Sequence, residues 1–435
     1  MPPHYDAAVL HVLDLRGAVP PWRDRLPRPD LAEQGPVEEV RAILADVRRR
    51  GDEALRDYTR RFDQAELGAL AVPLEELEAA RSRLDQSLMA SLGEARDAIA
   101  AFHRRHRPPV PPYERNGIRV DSLELPVARA GAYVPGGRAS YPSSVLMTCI
   151  PPKVAGVGEV VLCVPPRPDG SLPDEVLAAA ALAEVDEVYR VGGPQAIAAM
   201  AYGTESIPSV DVVAGAGSRR VSLAKEQVRG LVGVPAAFAG PSEVVVVADG
   251  SVPADFAAVD VVVQAEHGPD GLAWLVTWSR AALEAVDASV ARLVREAPRR
   301  REIESTLSAG GYAVLVDGPG EAMAVANEIA PEHLELCCER PEELVPLVRN
   351  AGAVFLGPLS PASYGDYLAG PSHVLPTFGS ARFASALGVE DFVRRVHVVS
   401  ASSEALDAAG PHVEAIARAE GLMAHAQSIA LRRRS

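Results

Sequence analysis

From Gly131 onward, short β-branched runs alternate with Ala-rich runs of helical spacing, and this alternation restricts the chain to a parallel α/β architecture. Gly158–Val164, Glu187–Val191 and Val210–Ala214 read as strands; Asp174–Ala183, Gln195–Tyr202 and Val221–Val228 read as helices. Parallel strands cannot be joined by a tight turn, so each pair needs a crossover, and a helix supplies it. A second set follows, with strands Glu243–Ala248, Ala273–Trp278, Tyr312–Val316 and Ala353–Leu356. Its helices are Phe256–His267, Leu283–Arg295 and Ala322–Ile329. Two α/β units are therefore expected, which a chain of 435 residues can accommodate. Before them, Val37–Arg49, Glu53–Arg61, Leu74–Leu84 and Leu88–Arg105 carry apolar residues at helical spacing, and Pro108–Pro112 ends that region. Residues 357–390 read as irregular and rich in Gly, Pro and Ser, a texture common at functional surfaces. Helix is expected again from about 403 to 432.

Charge and cysteine content narrow the function. With 43 basic and 58 acidic residues the net charge is −15, which disfavours nucleic acid or an anionic membrane as partner. No uninterrupted apolar run is long enough to span a bilayer, and the first residues lack a signal-peptide pattern. The four cysteines form no C-x-x-C pair, so a thiolate zinc site is not expected and a reducing cytoplasm is.

Four polar clusters interrupt the apolar pattern. Gln264 and His267, three apart on a last helical turn before Gly268-Pro269, could share a metal; they could equally be a helix end with a histidine at its negative pole. Glu332-His333 falls where a helix ends near Ile329 and a strand begins near Leu334. An imidazole there suits proton abstraction at neutral pH, and an exposed turn is the plainer reading. Asp366 and His373 lie in the Gly- and Ser-rich stretch, where they supply ligands or shape turns. Glu420-Gly421 and His425 sit near the end, with Gly421 able to break a helix between them. Gln, His, Asp and His as a set suit zinc or a similar divalent ion. On the nucleotide side, Gly215-Ala-Gly-Ser218 lacks the third glycine of the dinucleotide fingerprint, and Gly192-Gly193-Pro194-Gln195 opens a helix after a strand.

In this order the clusters resemble the histidinol dehydrogenase family. The resemblance runs over nearly the whole chain, through Gly131-Ala-Tyr-Val-Pro-Gly-Gly137, Gly193-Pro-Gln195, Gly240-Pro-Ser-Glu243, Gln264-Ala-Glu-His-Gly-Pro-Asp270, Pro331-Glu-His-Leu-Glu335, Gly365-Asp-Tyr367 and Glu420-Gly-Leu422. It implies zinc ligands at Gln264, His267, Asp366 and His425, and an acid–base pair at Glu332 and His333. It also implies substrate contacts at Ser242, His373 and Glu420 besides the metal ligands and His333, and NAD contacts at Tyr133, Gln195 and Ser218. The family's fold implies two incomplete Rossmann-like domains, the second inserted in the first. The expected divisions are an N-terminal segment at 1–28, a first domain at 29–132 and 242–387, a second at 133–241, and a helical tail at 388–435. A homodimer is implied, with Glu420 and His425 completing the partner's site. The implied reaction is the oxidation of L-histidinol to L-histidine by two NAD+ through a bound aldehyde.

The chain departs from the family pattern at four positions near the inferred pocket. Ser218 replaces an Asn, Ala236 an Asp, Ala362 a Glu and Ser372 an Asn. These changes leave two alternatives open: a paralogue oxidising another amino alcohol or polyol, and a catalytically silent zinc-binding relative.

Overall fold

Three sheets organise the chain in a computed structural model that describes residues 9–28, 36–105, 110–137, 139–235, 242–266, 268 and 271–433. The six-stranded sheet runs in the order His11–Asp14, Gly311–Leu315, Leu272–Thr277, Glu243–Ala248, His333–Cys337, Ala353–Leu356, every pair parallel. Its central strands Glu243–Ala248 and Leu272–Thr277 are buried at every position, as continuous apolar runs covered by helices on both faces should be. Helices Ala254–Ala265 and Arg280–Glu296 cover one face through Ala257, Val261, Leu283 and Val290. Helix Pro319–Ile329 covers the other through Met323, Ala326 and Ile329, beside Trp22.

The five-stranded sheet has the order Ala71–Val72, Glu187–Arg190, Glu159–Val164, Arg129–Tyr133, Val212–Ala214, parallel except at its first strand. Val40, Leu44 and Val47 of helix Val37–Arg50 share a core with Tyr133, Val161 and Ile197. Leu77, Leu92 and Ile99 share one with Leu146, Val160 and Leu162 on the opposite face. The N-terminal helices therefore cover both faces of the five-stranded sheet, where Val374 and Leu387 join the second of these cores. The strand His11–Asp14 pairs with the six-stranded sheet, and Leu15, Trp22 and Leu26 after it pack on that sheet's core. The physical reason is that an amphipathic helix buries its stripe wherever apolar surface is open, and periodicity does not name the acceptor.

The expected helical tail opens on a strand. Val393–Ala401 is a strand, not helix, and pairs antiparallel with Ile118–Pro126. Val396, Val398 and Val399, interleaved with His397 and two arginines, make a β-branched run that signals it. Nearly the whole strand is exposed, with Leu123 and Leu125 exposed on its neighbour. Helices Ser403–Ala419 and Met423–Arg432 follow and pack on one another. Among the described residues no helix is long and apolar enough to cross a membrane.

Candidate active site

Helix Pro319–Ile329 ends on Ala330 in the left-handed conformation (φ 52°), and the chain turns directly into strand His333–Cys337. This delivers Glu332 and His333, both buried, to the amino end of the six-stranded sheet. Glu332 Oε2 accepts the backbone N–H of Glu243 at 3.1 Å, and its carboxyl also meets the Ser242 hydroxyl. His333 lies between two carboxyls: Nδ1 is 3.9 Å from Glu332 Oε2 and Nε2 is 3.7 Å from Asp366 Oδ1. Asp366 comes from a short helix, Ala362–Tyr367, inside the stretch expected to be irregular.

Burial dominates the electrostatics. It pushes Glu332 well above the usual carboxylate range and Asp366 up to about 6. Glu243 rises to about 7 for the same reason, against the opposing pull of Arg28. Gln264 sits on the last turn of helix Ala254–Ala265, buried, with its Nε2 lacking a partner among the described residues. Which amide atom is oxygen is a matter of assignment, so the observation is an amide end awaiting a partner. His267 lies outside the described residues, as does Ala236.

His373 joins the two main units. Its Nδ1 is 2.9 Å from the backbone oxygen of Asp366, which can only accept, so Nε2 faces the Ser144 hydroxyl at 3.1 Å as acceptor. Ser144 belongs to helix Pro142–Ala155 on the five-stranded sheet. Ser372, where an Asn is usual, is buried; its hydroxyl donates to Met147 O and accepts from Val374 N. That side chain ties the loop down rather than facing a pocket.

The nucleotide candidates gather at the carboxyl ends of the five-stranded sheet, where ligands of open α/β sheets bind. The Tyr133 hydroxyl accepts the Gly193 N–H at 3.1 Å, at the head of helix Gly193–Tyr202. Gln195, in that helix's first turn, is buried with both amide atoms unpartnered among the described residues. Lys225 Nζ donates to Gly215 O at 2.8 Å. Ser218 occupies the N-cap position of helix Arg219–Val228, without a side-chain capping bond.

Two expected members are not brought in. Glu420 and His425 are exposed on the tail helices of the same chain. Among the described residues, the His, Cys, Asp and Glu side chains grouped closely enough to hold a metal are instead Asp260, Glu335 and Cys337, their ligand atoms within 4.8 Å. Burial pushes all three groups up from their ordinary values. Sequence reasoning passed over Asp260, Glu335, Lys225 and Ser144. The available signal was a charged residue inside an apolar run, as in Val259-Asp-Val261 and Leu334-Glu-Leu336.

A buried Glu332–His333 pair at one sheet and helix N-termini at the carboxyl edge of another belong to an α/β fold of the kind enzymes use. The family model described as histidinol dehydrogenase matches residues 26–433. A histidinol dehydrogenase of Moorella thermoacetica is 45% identical over 414 residues, 94% of this chain and 96% of that protein. One from Syntrophotalea carbinolica is 45% identical over 432 residues, 98% of this chain and 96% of that protein. The crystal structure of histidinol dehydrogenase from Elizabethkingia anophelis superposes with a TM-score of 0.93 at 31% identity, covering 98% of this chain and 99% of that one. The chain belongs to the histidinol dehydrogenase family, which makes it an NAD-dependent oxidoreductase.

Proposed function

We propose that this chain oxidises L-histidinol to L-histidine with two NAD+ in the cytoplasm, at a zinc site shared between two copies. The observation that carries the reading is His333 held between the Glu332 and Asp366 carboxyls, and Gln264 Nε2, buried without a partner among the described residues, supports it. The residues fit zinc: Asp366 offers a desolvated carboxyl, Gln264 a buried amide whose Nε2 has no partner among the described residues, and neither is a thiolate. His267 and the second copy's His425 would complete the set. Held by these residues, zinc would orient the substrate through its amino and imidazole nitrogens, and NAD+ would supply the hydride acceptor.

The chain's own groups do the proton work. His333 Nε2 takes the hydroxyl proton as hydride leaves. Glu332, whose buried carboxyl is held above the usual carboxylate range and is a stronger base once ionised, deprotonates the water that adds to the aldehyde. Ser242 aims Glu332, and His373 and the second copy's Glu420 contact substrate. Tyr133, Gln195 and Ser218 form the nucleotide edge.

Exposure of Glu420, His425 and the valine-rich strand Val393–Ala401 supports pairing with a second copy, whose site the tail then completes. We divide the chain into a Rossmann-like unit of 9–28 and 242–387, a second inserted at 36–235, and a dimerising module of 388–433 with the hairpin strands Tyr113–Arg115 and Ile118–Pro126.

The test is a panel of alcohols with NAD+ and with NADP+, before and after chelation. L-Histidinol should give two NADH per molecule, and chelation should abolish this reversibly. Turnover of another primary alcohol with none of histidinol would transfer the reading to a paralogue. Zinc binding without NAD+ reduction on any alcohol would leave a silent relative.

A further inference from the structure

Below the acid–base pair lies a second polar layer that the reaction does not use. Side chains alternate along strand His333–Cys337, so His333, Glu335 and Cys337 share the face toward helix Ala254–Ala265. Glu335 is buried, and its Oε1 accepts the backbone N–H of Ala362 at 3.1 Å. That N–H opens the short helix carrying Asp366. The Asp260 carboxyl flanks Glu335, the ligand atoms of Asp260, Glu335 and Cys337 lying within 4.8 Å of one another.

The spacing ties this layer to the one above. Asp260 precedes Gln264 by four residues on one helix face, and Ala362 precedes Asp366 by four. Four helical residues advance about 6 Å. Two strand residues, from Glu335 back to His333, advance about 6.6 Å. Both helices run against the strand, so meeting at Glu335 brings Gln264, His333 and Asp366 level one turn higher. The 3.7 Å contact between His333 and Asp366 is the result. A Cβ at Gly365 would lie 2.7 Å from the Phe355 ring, so the short helix already presses on the sheet. That packing resists lifting. Sliding along the strand is opposed by the directional bond to Glu335.

We propose that Glu335, clasped by Asp260, is a positioning residue that sets the height of the Asp366 helix against Gln264 and His333. This rests on the zinc reading above, because the spacing it controls is that of the proposed ligands.

The experiment uses the full chain with Glu335→Ala, Glu335→Gln and Asp260→Asn, and Cys337→Ala as a control in the same cluster that touches neither helix start. Amide hydrogen exchange of residues 362–367 is followed in metal-free protein, and zinc affinity is measured by chelator competition. Glu335→Ala should speed exchange at Ala362 at least about tenfold and weaken zinc about 10- to 100-fold, the usual effect of losing a group behind a metal ligand. Glu335→Gln should stay within about threefold on both readouts, because its amide oxygen accepts from Ala362 and its NH2 donates to Asp260. Asp260→Asn should behave likewise, and if Glu335→Ala fails to fold, a change beyond about threefold on either readout in Asp260→Asn overturns the proposal. Unchanged protection at Ala362 in Glu335→Ala, failure of Glu335→Gln to restore it, or an equal zinc loss in Cys337→Ala overturns the proposal. Wild-type protein that binds no zinc would refute the metal reading instead, and the exchange arm alone then decides whether Glu335 holds the helix.

Discussion

Replacing Gly215 with alanine probes how the nucleotide edge is built. Gly215 has φ +112°, and an added Cβ would stand 2.0 Å from the backbone oxygen of Tyr133. Gly230 has a similar φ of +99°, with nothing within 4 Å of its Cβ position. The pair therefore separates backbone strain from overlap. Strain alone costs about 1–3 kcal/mol and is common to both. Overpacking adds roughly 1–3 kcal/mol at Gly215 only, toward the upper end because the obstacle is backbone. The displacement has a route to function, since Tyr133 also receives the Gly193 N–H and Lys225 holds Gly215 from the other side. In urea denaturation Gly215→Ala should lose about 2–3 kcal/mol more than Gly230→Ala. Its KM for NAD+ should rise by about tenfold or more, corresponding to about 1.4 kcal/mol of lost binding, while Gly230→Ala keeps the wild-type KM. Equal urea midpoints for the two variants would refute the overlap, and an unmoved KM would refute the placement of the nucleotide.

Three further outcomes follow from the site. His333→Asn should cut kcat by about 10²–10⁴ with zinc affinity nearly unchanged, read by stopped-flow NADH absorbance and chelator competition; a matching loss of zinc would make His333 a ligand. His425→Ala and Glu332→Ala, each inactive, should regain part of the activity when mixed and allowed to exchange subunits, and no recovery after verified exchange would count against the shared site. Burial depresses Lys225 from 10.5 to about 8, so its contribution to stability is present above pH 10.5 and lost as pH falls through 8. Relative to Lys225→Met, the wild type should therefore gain up to about 3 kcal/mol between pH 7 and 10.5, at about 1.36 kcal/mol per unit; parallel stability curves would show that the ammonium carries no such penalty.

Much of the candidate site was legible as residue types and less of it as geometry. Pro331-Glu-His-Leu-Glu335 could be read as a helix-to-strand junction, and it is one. Gly365-Asp-Tyr367 could not be read as helix, because six residues are too few to show a period and two of its neighbours are turn formers. Glu335 and Asp260 looked like single interruptions of apolar runs. Their meaning lies in each other, 75 positions apart in the chain.

By itself the sequence determined the local alphabet: which segments are helix or buried strand, that the crossovers are parallel, and which chemical groups are offered. These follow from periods of 3.6 and 2, which a short window contains. Only the tertiary structure decided that the helices of 37–105 cover the five-stranded sheet, that 393–401 pairs with 118–126, and that His373 reaches Ser144. An apolar stripe or an open strand edge carries no address. Its partner is chosen by which burial leaves the least apolar surface and the fewest unpaired backbone groups across the whole molecule.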